Sequence, residues 1–472
     1  MNSLNGMDYL DTLSHFAAGL RFAALPRAVR AHTGWILADT LAAIAAGSAE
    51  PELRALAQRQ GSRRSDPPGA TLVGLGTRAH PEAAALVNGT GGTFLEMDEG
   101  NRFSRGHPAV HVLPAALALC EQQGADADTF LSALVVGYEV GSRLGAASQL
   151  RGAMHPHGTW GTVGAAAACA RVRGLDAAGM REALNIAASL TTATSKRTML
   201  EGGLVRNVYA GLSNRNGLLA VELAGCGFTG EHDGPGSLFG QIISERFDTT
   251  EVLRDLGQDW HLLHNYFKLH SCCRYNHGTL DALDAIEAAQ GRLPGPEDIA
   301  RIEVRSYHLA AELDDKAPRN TLAAKFSVPF AVATRLVNGS SAMASFTWDA
   351  VRDPRILALA QKVDLAEDPA MTRRLPMERP ARVVIIGTDG RQWVGEAGVN
   401  RGDDASPYTA DELTTKFMDL TGRVWPAEHA QRLLQATHAL CAGQETFGTW
   451  TALLAEQPLE IAPPVVFERP RT

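Results

Sequence analysis

Carboxylates, guanidinium groups and an imidazole crowd one short stretch of the chain, Glu96-Met97-Asp98-Glu99 followed by Arg102 and Arg105-Gly106-His107-Pro108. An imidazole beside a carboxylate moves protons near neutral pH, because histidine passes between its two protonation states there. The same residues would also make an ordinary solvated loop of surface ion pairs. A second patch, His155-Pro156-His157-Gly158-Thr159, leads through Gly161 into an alanine-rich helix from Gly164. A glycine-rich approach to a helix N-terminus offers free N–H groups to an anion, and a histidine adds a donor. No strand precedes these glycines, so they suit close packing better than dinucleotide binding. His155 and His157 lack a third ligand at a recognisable spacing, and no metal is expected.

Two further patches carry positive charge. Arg206, in Glu201-Gly202-Gly203-Leu204-Val205-Arg206-Asn207, is a permanent cation whose planar fork fits a carboxylate; its alternative is a plain surface arginine. Lys268-Leu269-His270-Ser271-Cys272-Cys273-Arg274-Tyr275-Asn276-His277 packs two histidines, a lysine, an arginine and two thiols into ten residues. Adjacent thiols surround a metal or an iron–sulfur cluster poorly, and small buried thiols are the simpler reading. Arg105, His107, His155, Arg206, Lys268 and His277 would form an anion pocket if the fold brought them together.

The scaffold for these groups is legible in outline. At 472 residues the chain is long for one core, which favours two domains of unequal size. Apolar residues make up 45% and charged residues 20%, a globular profile that excludes a disordered chain. From about Asp8 to about Gly240 the pattern reads as successive helices, with alanine runs that let helices approach closely. Gly174 suits a left-handed helix stop, and Asp176 suits the cap of the next helix. After about Tyr266 the period changes to two. Ile299 to Arg305 alternates, and Arg382 to Ile386 leads through Thr388-Asp389-Gly390-Arg391 into Gln392 to Glu396 as a hairpin.

The expected fold is therefore mainly α with a smaller α+β domain. The large helical domain spans 1–265, an inserted α+β lid spans 266–400, and helices of 401–472 return to the large domain. The loop from Gly61 to Pro68 reads as a solvated connection. A formal charge of −8 argues against nucleic acid or an anionic membrane as partner. The N-terminus, Met1 to Leu13, shows no signal pattern, no apolar run reaches about 18 residues, and the six cysteines form no secreted framework. A cytoplasmic location is expected.

The order of several short motifs resembles the MmgE/PrpD superfamily, which includes 2-methylcitrate dehydratase, cis-aconitate decarboxylase and iminodisuccinate epimerase. They are Asp39-Thr40-Leu41-Ala42-Ala43, Arg105-Gly106-His107-Pro108 with Pro114-Ala115, Gly137-Tyr138-Glu139-Val140, His155-Pro156, Gly164-Ala165-Ala166-Ala167 and Gly174-Leu175-Asp176. Gly227-Phe228-Thr229-Gly230, Lys268 with His277, Ala324-Lys325-Phe326-Ser327 and Lys416-Phe417 continue the likeness nearly to the end. The resemblance implies a helical domain with a smaller lid, a homodimer, and a cleft site without cofactor, metal or iron–sulfur cluster. It also implies that Glu96, His107, His155, Arg206, Lys268 and His277 face the substrate.

The chain departs from the family pattern at several positions. Thr93 and Glu96 stand where a histidine and an aspartate are usual, Arg206 replaces a lysine, Tyr209 a histidine, and Phe330 a tyrosine of the decarboxylase branch. Arginine cannot act as a base, so Arg206 is expected to bind substrate. The resulting expectation is a lyase acting beside a carboxylate of a small anionic polycarboxylate, foremost a 2-methylcitrate dehydratase-like hydro-lyase. Glu96, His107, His155 and Lys268 would be catalytic, and Asp98, Arg105, Arg206 and His277 would bind substrate. An epimerase, a decarboxylase and a non-catalytic carboxylate-binding protein are the alternatives, and the role of His157 stays open.

Overall fold

The computed structural model describes residues 8–61 and 69–460, so most of the connection read at Gly61 to Pro68, the first seven residues and the last twelve lie outside the described residues. Long helices Arg27–Ser48, Pro81–Gly92, Pro108–Gln123, Ala127–Ala147, Trp160–Val172 and Val208–Gly225 pack around one hydrophobic core. Small residues set their spacing. A Cβ on Gly164 would fall 2.7 Å from the Gly137 carbonyl oxygen, so the crossing of Ala127–Ala147 with Trp160–Val172 requires glycine there. The boundary expected near Gly174 is present: Gly174 has φ +67°, and the Asp176 carboxylate accepts the Gly179 N–H at 2.9 Å.

A second core gathers residues between Cys272 and Ile385, joined by Met199 from the first half of the chain. Its sheet has the order Gln392–Ala397, Ala381–Gly387, Ile299–Ser306, Val363–Glu367; the first three strands run antiparallel and the last pair parallel. The hairpin pairs Trp393 with Ile385. Helix Arg274–Gln290 lies against this sheet so closely that a Cβ on Gly395 would sit 2.0 Å from the Ala282 carbonyl oxygen. Helices Ala410–Thr421, Ala427–Cys441 and Phe447–Leu454 place Phe417, Leu420, Leu433 and Trp450 in the first core. No helix among the described residues is long and apolar enough to cross a membrane.

The helical reading of the first 240 residues needs one amendment. Three short antiparallel pairs interrupt or brace the helices: Ala70–Leu72 with Thr77–Ala79, Ser148–Leu150 with Ser244–Phe247, and Gly100–Asn101 with Asn265–Tyr266. Strands of two to four residues carry too little periodicity to be read from sequence. The last pair brings the acidic loop alongside the segment that carries Lys268.

Candidate active site

Helix Pro81–Gly92 ends at Thr93, whose hydroxyl donates to the Asn207 carbonyl at 3.0 Å and ties the acidic loop to the Arg206 segment. Glu96 then takes φ +55°, a left-handed conformation rare for a side-chain-bearing residue. Its carboxylate is buried, forms an ion pair with Arg206 through Oε1, and has Oε2 3.5 Å from Lys268 Nζ. Lys268 Nζ also donates to the Glu96 carbonyl at 3.1 Å and stands 3.5 Å from Asp98 Oδ1. The Arg206 guanidinium lies 5.3 Å from the centroid of the Phe326 ring.

These four groups set one another's charge. Burial resists ionisation of Glu96, but Arg206 and Lys268 overcome it and hold the carboxyl at about 2. Burial dominates at Asp98 and pushes it up to about 6 despite Lys268. Burial also opposes the charge on Lys268, yet Glu96 and Asp98 raise its pKa above the ordinary lysine value. Lys268 therefore stays protonated and Glu96 ionised at neutral pH.

His107 precedes helix Pro108–Gln123, and its Nδ1 lies 2.7 Å from the Glu99 carbonyl oxygen and 3.1 Å from Asp98 Oδ2. A carbonyl only accepts, so Nδ1 carries the proton and Nε2 is a bare lone pair. His155 has the opposite tautomer. Its Nδ1 accepts the His157 N–H at 3.1 Å, which leaves the proton of the neutral ring on Nε2. The two histidines thus offer one proton acceptor and one proton donor. Burial, reinforced by nearby cations, holds both pKa values well below the ordinary histidine value, so both are neutral at pH 7.

His157 lies edge-on to three other imidazoles, with ring centroids 5.1 Å from His107, 4.7 Å from His111 and 4.6 Å from His155. His111 is buried, neither of its ring nitrogens has a partner among the described residues, and burial lowers its pKa to about 3. Sequence reasoning did not single it out. The available signal was its place four residues after His107, one turn into the helix that His107 precedes.

Other expected residues take different places. His277 accepts from Arg274 Nη1 at Nδ1, 2.9 Å away, and its Nε2 faces the Cys272 carbonyl at 3.3 Å; both nitrogens bond within their own segment. Arg105 is exposed, at φ +56°, without an ion pair among the described residues. Tyr209 lies 5.8 Å from the His155 ring, while Phe330 is sealed in the second core, 5.9 Å from Phe346. Burial raises the Cys272 and Cys273 thiols, leaving both protonated and poor nucleophiles or ligands. His270, Asp281 and Asp284 bring ligand atoms within 4.8 Å of one another, but Arg335 already bonds Asp284 at 3.0 Å.

Residues 11–235 match the MmgE/PrpD N-terminal domain, and residues 270–440 match the MmgE/PrpD C-terminal domain. The chain belongs to the MmgE/PrpD family. Its relatives include cis-aconitate decarboxylase of Aspergillus terreus, 27% identical over 444 residues that cover 87% of this chain and 89% of that protein. Cis-aconitate decarboxylase of Mus musculus is 29% identical over 72% of each chain, and that of Homo sapiens 25% identical over 82% of each. Among the MmgE/PrpD departures, Glu96 and Arg206 belong together: the longer carboxylate and the guanidinium form one buried ion pair.

Proposed function

We propose that this MmgE/PrpD protein is a lyase that moves a proton at the carbon beside a carboxylate of a small polycarboxylic acid, with dehydration of a hydroxy acid as its favoured reaction. The observation that carries this reading is the opposed tautomers of His107 and His155. Elimination of water needs both an acceptor and a donor. The His107 Nε2 lone pair takes the proton from carbon, the electron pair becomes the new double bond, and the C–O bond breaks. The His155 Nε2–H supplies the proton with which hydroxide leaves as water. Asp98 beside Nδ1 stabilises the imidazolium that forms on His107, and the Lys268 ammonium offsets charge building on the substrate.

Decarboxylation is the second reading, favoured by the activity for which the relatives are named. There His155 would protonate the carbanion left by carbon dioxide, and no base would be required. The missing hydroxyl at Phe330 and the unprotonated His107 Nε2 favour dehydration over it.

Proton NMR in deuterated water, with a panel of hydroxylated and unsaturated di- and tricarboxylic acids, tests both readings. Dehydration predicts alkene signals and deuterium at the carbon beside the carboxylate in the reverse direction. Release of carbon dioxide from an unsaturated acid would select decarboxylation instead. Binding without exchange across the panel would leave a carboxylate-binding protein.

A further inference from the structure

Glu96 and Asp98 already pair with the buried cations Arg206 and Lys268. An incoming carboxylate meets a seat that the chain fills with its own. Around Tyr266 the situation is reversed. Arg379 is only 7% exposed, yet its guanidinium makes no hydrogen bond or ion pair with a described residue, and Nη1 is fully buried without a partner. It stands 5.5 Å from the centroid of the Tyr266 ring and 6.0 Å from that of Tyr275. Asp403, whose charge reaches Arg379, is engaged by Arg274 Nη2 at 2.9 Å.

Two more unused groups share this corner. The Tyr307 hydroxyl is buried without a partner, and its ring lies 5.9 Å from Tyr275. Arg105 is exposed and unpaired, and the next residue, Gly106, bridges Asn101 on the strand that pairs with Asn265–Tyr266. The Tyr266 ring in turn lies 6.2 Å from the His107 ring, so this corner adjoins the proposed base. A guanidinium cannot shed its proton to relieve burial, and ring faces compensate a full charge only in part. An anion bonded to it would remove the penalty.

We infer that Arg379, assisted by the Tyr307 hydroxyl and Arg105, binds a substrate carboxylate remote from the carbon that loses its proton. This inference rests on the polycarboxylate reading above and adds to it a reason for a second carboxylate: one lies beside the reacting carbon near His107, another on Arg379. A monocarboxylic acid would leave the guanidinium unpaired and would bind weakly.

Calorimetric titration of the full chain with tricarballylate, a tricarboxylic acid with no hydroxyl to lose, reads the seat without turnover. A charge-assisted hydrogen bond predicts that Arg379→Gln weakens binding about 10- to 100-fold, with part of the affinity kept in Arg379→Lys. Tyr307→Phe, which removes one neutral hydroxyl and no volume the core needs, is expected to weaken it about fivefold. Wild-type affinity in Arg379→Gln overturns the seat and leaves the polycarboxylate reading standing. If Arg379→Gln does not fold, unchanged affinity in both Tyr307→Phe and Arg105→Gln overturns it. A wild-type chain that binds neither tricarballylate, citrate nor cis-aconitate removes the polycarboxylate reading and the seat together.

Discussion

Lys268 Nζ donates to the main-chain carbonyl of Glu96 at 3.1 Å and lies 3.5 Å from the Oε2 of the same residue. One ammonium therefore fixes both the backbone and the side chain of a residue held at φ +55°. The left-handed turn is maintained by the charge it presents. Removing that charge should cost stability as well as activity.

Glu96→Gln leaves Arg206 without its buried counter-ion and is expected to destabilise the protein by about 3–5 kcal/mol at neutral pH. The folded carboxyl sits at about 2, against an ordinary value of 4.5. Its contribution is fully present above about pH 4.5 and is lost as pH falls through that value toward 2. Thermal melts of wild type and Glu96→Gln should therefore draw together as pH falls from about 4.5 toward 2. A constant gap from pH 7 to pH 3 would show that the ion pair is not its source.

His107→Gln should lower deuterium exchange into substrate about 10²- to 10⁴-fold, the usual worth of a positioned base, with the melting temperature little changed. His155→Gln should stop dehydration while leaving partial exchange, because exchange needs the acceptor alone. Equal losses of both activities in both variants would contradict the division of roles.

Asp98 titrates at about 6 among Glu96, Lys268, Arg206 and His107, and only its ionised form supports an imidazolium on His107. Exchange at saturating acid should rise with pH through about 6, and Asp98→Asn should flatten that limb. A limb that persists in Asp98→Asn would assign it to another group.

Lys416 pairs with the buried Asp39 carboxylate and donates to the Met97 carbonyl at 2.7 Å, holding the acidic loop to helix Arg27–Ser48. Lys416→Met leaves Asp39 buried and uncompensated, at a cost of about 3–5 kcal/mol. Adding Asp39→Leu should restore most of the stability in denaturant unfolding. It should not restore turnover, because the Met97 carbonyl stays untethered.

A Cβ on Gly161 would lie 2.5 Å from His111 Cγ, within the packed imidazole cluster. Gly161→Ala should cost about 1–3 kcal/mol by overpacking and slow exchange through the displaced His157. Unchanged kinetics would show that the His111–His157 contact has no bearing on His155 and His107.

Much of the scaffold could be read from the chain because its causes are local. The stop at Gly174 and the cap at Asp176 follow from conformational freedom and a side-chain acceptor within three residues. The hairpin through Asp389-Gly390 follows from alternation on either side of a turn. Short strands such as Gly100–Asn101 left no such trace, since only pairing with Asn265–Tyr266 creates them.

The sequence by itself determined the residue types of a proton-transfer site, the family and the mainly helical architecture. These depend on composition, periodicity and ordered motifs. The tertiary structure alone decided which cations are spent and which are free. Lys268 reaches Glu96 across 172 positions, which pairs Arg206 and Lys268 with the chain's own carboxylates. His277 is turned inward by Arg274. His111 joins the imidazole cluster, and Arg379, inconspicuous in its own segment, emerges as a buried guanidinium with no hydrogen-bond or ion-pair partner among the described residues. Charge compensation depends on distance and burial, and neither is encoded locally.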